Sequence, residues 1–442
     1  MQRAAAATPG YVRAIARANG GEIFSAQELQ AVQHNSSTLA MQERWVGGSQ
    51  RLVLSVAVGH VQTDDDDTPE VLIVATGHTS GEIMLRQVGD DDDDDEPFTL
   101  DLGRGARGGA VRSLAMDGCI LASGSESGAV RLFGVSYSFG HVQRIRCALL
   151  ARMLCNGEAE AVCMIASARR LGAGVSGVGD AGGGLRVWDV ELPLAFPDDE
   201  TACLDCDDID DIDAADEADA ADAAEERTGR TGCDGMRDIS PDAAELGIGD
   251  VYALAMSADG RQLVAGGADG GVWLWAWEDA AGGVPTLIWR GKRDGAIQAL
   301  SLCAAGLVIA ASDHKPPGQA AAGTAALLLR TSVDGHTWEV DLPNSKSPNC
   351  KDMVCDGGVQ QEPQVATLGQ GLWNGQWSTP VAATSCPVCS TAFPVVLATA
   401  LVDAPDGSTT LLFGGYGRQI ERWDGVFEFV ARGDGVDGRD LE

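Results

Sequence analysis

Residues Gly249–Trp277, GDVYALAMSADGRQLVAGGADGGVWLWAW, hold three short alternating apolar runs, Val251–Met256, Gln262–Ala265 and Val272–Trp277. The breaks between them are Ala258-Asp259-Gly260 and Ala268-Asp269-Gly270. Asp-Gly pairs reach the positive φ of a tight turn at low steric cost, so the pattern predicts an antiparallel meander. Three strands with one apolar face cannot enclose a core, so such a unit must stack against others like it.

Worn copies are present. Gly270-Gly271-Val272-Trp273-Leu274-Trp275 lines up with Gly128–Phe133 (GAVRLF), Gly183–Trp188 (GGLRVW) and Gly81–Arg86 (GEIMLR). In each, a turn glycine precedes apolar residues two and four positions on, the period of a half-buried strand. Two segments end in Trp-Asp, Trp188-Asp189 and Trp423-Asp424. With these residues the chain resembles the WD40-repeat β-propellers. That resemblance implies an all-β fold of four-stranded antiparallel blades, with Trp188, Asp189, Asp269, Trp275, Asp334, Trp423 and Asp424 as structural repeat anchors. Asn19–Phe24 and Phe413–Gly417 resemble the first and last blades of the THO complex subunit 6 branch of such proteins, which serves mRNA export.

Along the chain, Tyr11–Leu29 reads as a hairpin turning on Asn19-Gly20-Gly21. Arg51–Val58, Val71–Thr76 and Glu82–Val88 form the next blade, with one aspartate run inside it and a second after it. Ala110–Val135 is a compact repeat, and Arg144–Cys155 fits either a strand or a short helix. Glu160–Val190 supplies another blade around a glycine-rich turn, Gly172–Gly184. Ala296–Ala311 and Leu327–Leu342 make one more, while Asn344–Gln376 has no legible pattern. Val381–Cys389, Val395–Val402, Thr409–Gly414 and Ile420–Val430 form the last. The count is seven blades, or one either side, within a single domain spanning 11–430. Residues 1–10 and 431–442 read as flexible termini, and Val12–Ala18 is expected to lie near Ile420–Val430 where the ring closes.

The formal net charge of −34 is concentrated. Asp64–Asp67, Asp90–Glu96 and Asp198–Glu226 hold 4, 7 and 15 acids, and removing these 26 leaves −8. The acidity therefore belongs to loops, and it argues against direct binding of nucleic acid. Residues 197–237 carry almost nothing to bury and read as a disordered acidic insertion. No apolar run is long enough to span a bilayer. Twelve unevenly spaced cysteines without a signal peptide predict a reducing compartment, nucleus or cytoplasm. Arg3, Arg13 and Arg17 with no acid before Glu22 also resemble an organelle transit peptide.

Residues that carry chemistry are few. Cys386-Pro387-Val388-Cys389 with Cys350 and Cys355 could hold a structural zinc through four thiolates, or be small buried residues. Cys203-Cys206 offers a weaker pair. The overlapping G-x-G-x-x-G runs at Gly172–Gly182 precede a strand rather than the helix a phosphate site needs. Asp205–Asp213 lacks the glycine and distal glutamate of a calcium loop. Ser332–Trp338 resembles the Asp-box of sialidase-like propellers but is one residue short. The six histidines, His34, His60, His78, His141, His314 and His336, are expected to be structural. Trp273, Trp275 and Trp277 share one strand face and either pack between blades or form an exposed patch. The expectation is a non-catalytic scaffold for protein–protein interactions in a multisubunit complex, with other protein subunits as partners and no small-molecule substrate. An acidic assembly factor for basic histone-like, ribosomal or RNA-processing proteins is the second reading, and a propeller enzyme the third.

Overall fold

A computed structural model describes residues 2–8, 11–18, 21–36, 38–46, 51–63, 70–89, 97–102, 109–138, 145–155, 157–165, 169–177, 183–190, 236–241, 246–277, 283–292, 295–303, 306–312, 326–331, 337–341, 365–368, 396–403, 409–415 and 419–424. They form seven antiparallel sheets. After an initial strand β1 (Gln2–Ala7), blade one is β2 (Val12–Arg17), β3 (Ile23–Gln27), β4 (Gln30–His34) and β5 (Met41–Val46). Blade two is β6 (Val53–Gln62), β7 (Glu70–His78), β8 (Glu82–Gln87) and β9 (Phe98–Asp101). Blade three is β10 (Val111–Asp117), β11 (Ile120–Ser125), β12 (Ala129–Tyr137) and β13 (Ile145–Leu154). Blade four is β14 (Glu158–Ile165), β15 (Arg170–Ser176), β16 (Gly184–Val190) and β17 (Met236–Asp238). Blade five is β18 (Val251–Met256), β19 (Gln262–Gly267), β20 (Gly271–Ala276) and β21 (Thr286–Lys292). Blade six has five strands, β22 (Ala296–Cys303), β23 (Gly306–Ser312), β24 (Ala326–Thr331), β25 (Thr337–Asp341) and β26 (Val365–Leu368). Blade seven is β27 (Val396–Asp403), β28 (Thr409–Gly415) and β29 (Gln419–Asp424), completed by β1.

The first strand of every blade touches the first strand of the next, and β27 returns to β2, so the ring is closed. The core lies in the seams between blades. One apolar cluster joins Ala57, Ile73 and Leu85 of blade two to Val111, Phe133 and Tyr137 of blade three. Another joins Leu185 and Val187 of blade four to Leu263, Trp273, Trp275 and Trp277 of blade five. All three tryptophans are therefore packed between blades rather than exposed.

A register feature repeats in all seven blades. Each innermost strand skips one residue in its pairing, between Val12/Ala14, Val53/Ser55, Val111/Ser113, Ala159/Ala161, Val251/Ala253, Ile297/Ala299 and Val396/Ala398. Opposite the residue after the skip stands Ala26, Gly77, Gly124, Gly174, Gly266, Ala310 or Gly414. The reason is the next blade. A Cβ on Gly77 would meet Val111 Cγ1 at 2.6 Å, one on Gly266 would meet Ile297 Cγ2 at 2.3 Å, and one on Gly414 would meet Val12 Cγ1 at 2.6 Å. A small residue on the second strand thus admits the branched side chain of the neighbouring blade. Burying each such Val or Ile contributes about 2 kcal/mol.

The same register explains two buried polar atoms. Ser25 and His34 occupy corresponding places on β3 and β4, and Ser25 Oγ lies 2.7 Å from His34 Nε2. In blade three these places hold Ser123 and Phe133, and in blade five Ala265 and Trp275. Ser123 Oγ and Trp275 Nε1 accordingly have no hydrogen-bond partner among the described residues. One blade keeps the hydroxyl without the ring N–H, the other the N–H without the hydroxyl. Ala265→Ser should give the indole an acceptor and raise stability by about 1 kcal/mol in urea unfolding. An unchanged midpoint would mean that the indole N–H is already solvated.

Several expectations need correction. Residues 1–10 include β1, which pairs with β29 from Gln2↔Asp424 to Ala7↔Gln419. Val12–Ala18 does lie near Ile420, with Ile15 against the apolar cluster that holds it, but the strand that pairs with β29 is β1, with Ala6 opposite Ile420. The second aspartate run falls between β8 and β9, inside blade two, because Phe98–Asp101 pairs with β8. Gly172 and Gly174 belong to strand β15, not to a turn. Met236 and Arg237 of the 197–237 insertion are in β17. Arg144–Cys155 resolves to a strand, β13. The rest of the insertion, Val381–Cys389 and 431–442 lie outside the described residues.

Candidate functional site at one mouth of the ring

The skipped residues are Arg13, Leu54, Arg112, Glu160, Tyr252, Gln298 and Leu397. A β-bulge leaves its extra residue unpaired and re-aims its side chain. All seven sit at the same end of their strands, beside the turns that join second to third strands. Glu126 of one such turn accepts from the Ala110 amide at 3.1 Å, which fixes that end of blade three.

In blades three to five the bulged side chains meet. Arg112 Nη2 pairs with Glu126 and lies 3.7 Å from Glu158, and Arg112 Nε lies 4.0 Å from Glu160. One guanidinium thus faces three carboxylates. Burial pushes Glu160 up to about 7 against the pull of Arg112, and the adjacent Glu158 and Glu126 push the same way. Burial first, then Asp250, Glu160 and Glu158, raise the Tyr252 phenol. Asp250 is held in place by accepting from the Gly177 amide at 2.7 Å. The mouth at these blades carries an excess of negative charge around an aromatic ring.

Of the anchors among the described residues, only Asp269 lies in one of these second-to-third-strand turns, that of blade five. Asp269 accepts from the Gly271 amide at 2.9 Å and closes the turn at Gly270, whose φ is 84°. Trp275 is fully buried. Trp188 is buried, and Asp189 beside it pairs with Arg237 and faces Arg170 Nε at 3.8 Å. Asp424 accepts from Arg422 Nε at 3.0 Å and from Thr410 at 2.8 Å, and Trp423 pairs in register with Leu411 and Arg3. Asp334, Cys350, Cys355, Cys386 and Cys389 lie outside the described residues. Among the described residues no His, Cys, Asp and Glu side chains group as a metal would require. No helix among them is long and apolar enough to cross a membrane.

Two histidines lie inside blades. His34 Nδ1 is 3.1 Å from the Leu39 carbonyl, and His78 Nε2 is 3.0 Å from Thr76 Oγ1. Burial, and then Arg51, push His78 down to about 4. An unfolded histidine titrates near 6.5, so below that pH the unfolded chain takes up a proton that the folded chain refuses. Stability attributable to His78 is therefore intact above about 6.5 and lost as pH falls to about 4. At pH 4.5 the loss should reach about 2–3 kcal/mol. Urea unfolding of wild type and His78→Gln at pH 7 and 4.5 checks this: the wild type should fall further than the variant, and parallel falls would refute it.

Sequence reasoning missed the ring of bulged residues, although a signal exists. Each innermost strand contains a branched or small apolar residue, any residue, then Ala or Ser, as in Val111-Arg112-Ser113 and Val251-Tyr252-Ala253. The model of the WD domain, G-beta repeat, matches residues 247–276, which are β18 to β20 with their approach. A comparison with curated sequences finds no match. A chain in the "Crystal Structure of Mitotic Checkpoint Complex" is similar in structure, with 13% identity, a TM-score of 0.51, and 95% of this chain and 94% of that one covered. A chain in "Structure of U3-55K" gives 12% identity and a TM-score of 0.48 over 95% and 98%. The chain is thus a β-propeller that carries a WD40 repeat in its fifth blade.

Proposed function

We propose that this propeller is a non-catalytic scaffold that holds other proteins within a multisubunit assembly, and that it receives a partner's basic segment at the bulged mouth. The observation that supports this is the meeting of Arg112, Glu160 and Tyr252 from three successive blades, with Glu126, Glu158 and Asp250 around them. Glu126, Glu158 and Asp250, with Glu160 only partly ionised near neutral pH, outnumber the one guanidinium and leave room for a lysine or arginine from outside, and a phenol ring can face that cation. Charge of this kind sets partner choice and encounter rate more than raw affinity. Affinity purification with mass spectrometry, comparing wild type with Glu158→Lys/Glu160→Lys, tests the proposal. Partners should be lost from the folded double variant and from wild type at high salt. An unchanged set of captured proteins would sink it.

A further inference from the structure

The rim of blade four is closed by less than that of its neighbour. β17 pairs with β16 at three positions, Trp188↔Asp238, Asp189↔Arg237 and Val190↔Met236. β13 pairs with β12 at nine. Two ion pairs fasten β17, Arg237 to Asp189 and Arg186 to Asp238 at 3.4 Å, and the side chains of Arg186, Arg237 and Asp238 are 47%, 53% and 49% exposed. Exposed pairs contribute little and weaken with salt. The apolar hold is Met236 against the seam with blade three and Ile239 against the seam with blade five. Beyond β17, Ile239 N donates to Val187 O, and Val187 N to Ser240 Oγ.

We infer that β17 is an autoinhibitory strand, which an extended segment of another protein replaces at the edge of β16. The resident strand defines what would fit. Met236-Arg237-Asp238-Ile239 reads apolar, basic, acidic, apolar: one apolar group for each seam, a cation for Asp189 and a carboxylate for Arg186. The backbone of the incoming strand supplies affinity by completing the sheet, and this alternation supplies selectivity. The inference rests on the protein-binding reading, but it uses none of the mouth residues. Charge reversal at Glu158 and Glu160 and the experiments below therefore fail independently.

Amide exchange on the full chain is the first test. β17 amides, and the β16 amides facing it, should exchange at least about 10-fold faster than those between β12 and β13. Equal protection would overturn the inference. The second test uses a labelled peptide of sequence GMRDISP, copying residues 235–241, and the full-length Met236→Asp variant, which weakens the resident strand. The peptide should bind the variant at least about 10-fold more tightly than wild type, and a scrambled peptide should bind neither. Equal binding to both chains, or no binding to either, would overturn the inference. If the variant does not fold, the exchange experiment on wild type decides alone.

Discussion

Gly414→Val should destabilise the protein by about 3 kcal/mol, because the new side chain must occupy the space held by Val12. A Cβ there would lie 2.6 Å from Val12 Cγ1 and 2.7 Å from Val12 Cβ, and neither can retreat without moving β2. Gly266→Val meets the same obstacle in Ile297, and its loss in urea unfolding should be similar. The local consequence should differ. Blade six follows directly on blade five in the chain, whereas blade seven is tied to blade one through β1, so only Gly414→Val should speed amide exchange in β1. Gly249→Ala is the control: no atom lies within 4 Å of a Cβ there, and its effect should stay within about 0.5 kcal/mol. A Gly414→Val protein as stable as the control would show that the seams tolerate loose packing.

Arg170→Met should cost about 3 kcal/mol. Arg170 is 1% exposed and ties blade four to blade five. Its guanidinium lies 4.2 Å from the Trp277 ring centroid, its Nη1 donates to the Gly260 carbonyl, and its Nε faces Asp189. Methionine keeps most of the volume and removes the charge, leaving the Gly260 carbonyl without its donor and Asp189 with Arg237 alone. Arg170→Lys keeps the charge but cannot donate to Gly260, stack on Trp277 and face Asp189 at once, so an intermediate loss of about 1–2 kcal/mol is expected. If methionine proved no worse than lysine in urea unfolding, packing rather than charge would hold this seam.

Three of the four strands of blade five were legible almost residue by residue, while the fourth, Thr286–Lys292, was not read. The Asp-Gly turns of that blade are local signals that need no neighbour, and the strands Val251–Met256, Gln262–Gly267 and Gly271–Ala276 follow the apolar runs. What escaped was set by distant partners. Gln2–Ala7, with four alanines, has little strand character until β29 pairs with it. Gly172 and Gly174 look like turn residues, yet Gly174 is small because Val251 of the next blade approaches to 2.7 Å of where a Cβ would stand. The candidate site was hidden for a related reason. Arg112, Glu160 and Tyr252 are far apart in sequence, each looks like an ordinary exposed strand residue, and only the shared bulge turns them toward one place.

The pairing of Gln2–Ala7 with Gln419–Asp424 sets an order of assembly. Once β1 has emerged from the ribosome, its hydrogen-bonding edge has no mate until more than 400 residues later have been translated. Blades one to six can form as they appear, while blade seven must wait for both of its contributions. A nascent chain stalled before residue 419 would thus present an unmated strand to the cell, and chaperones that guard such edges would meet it there.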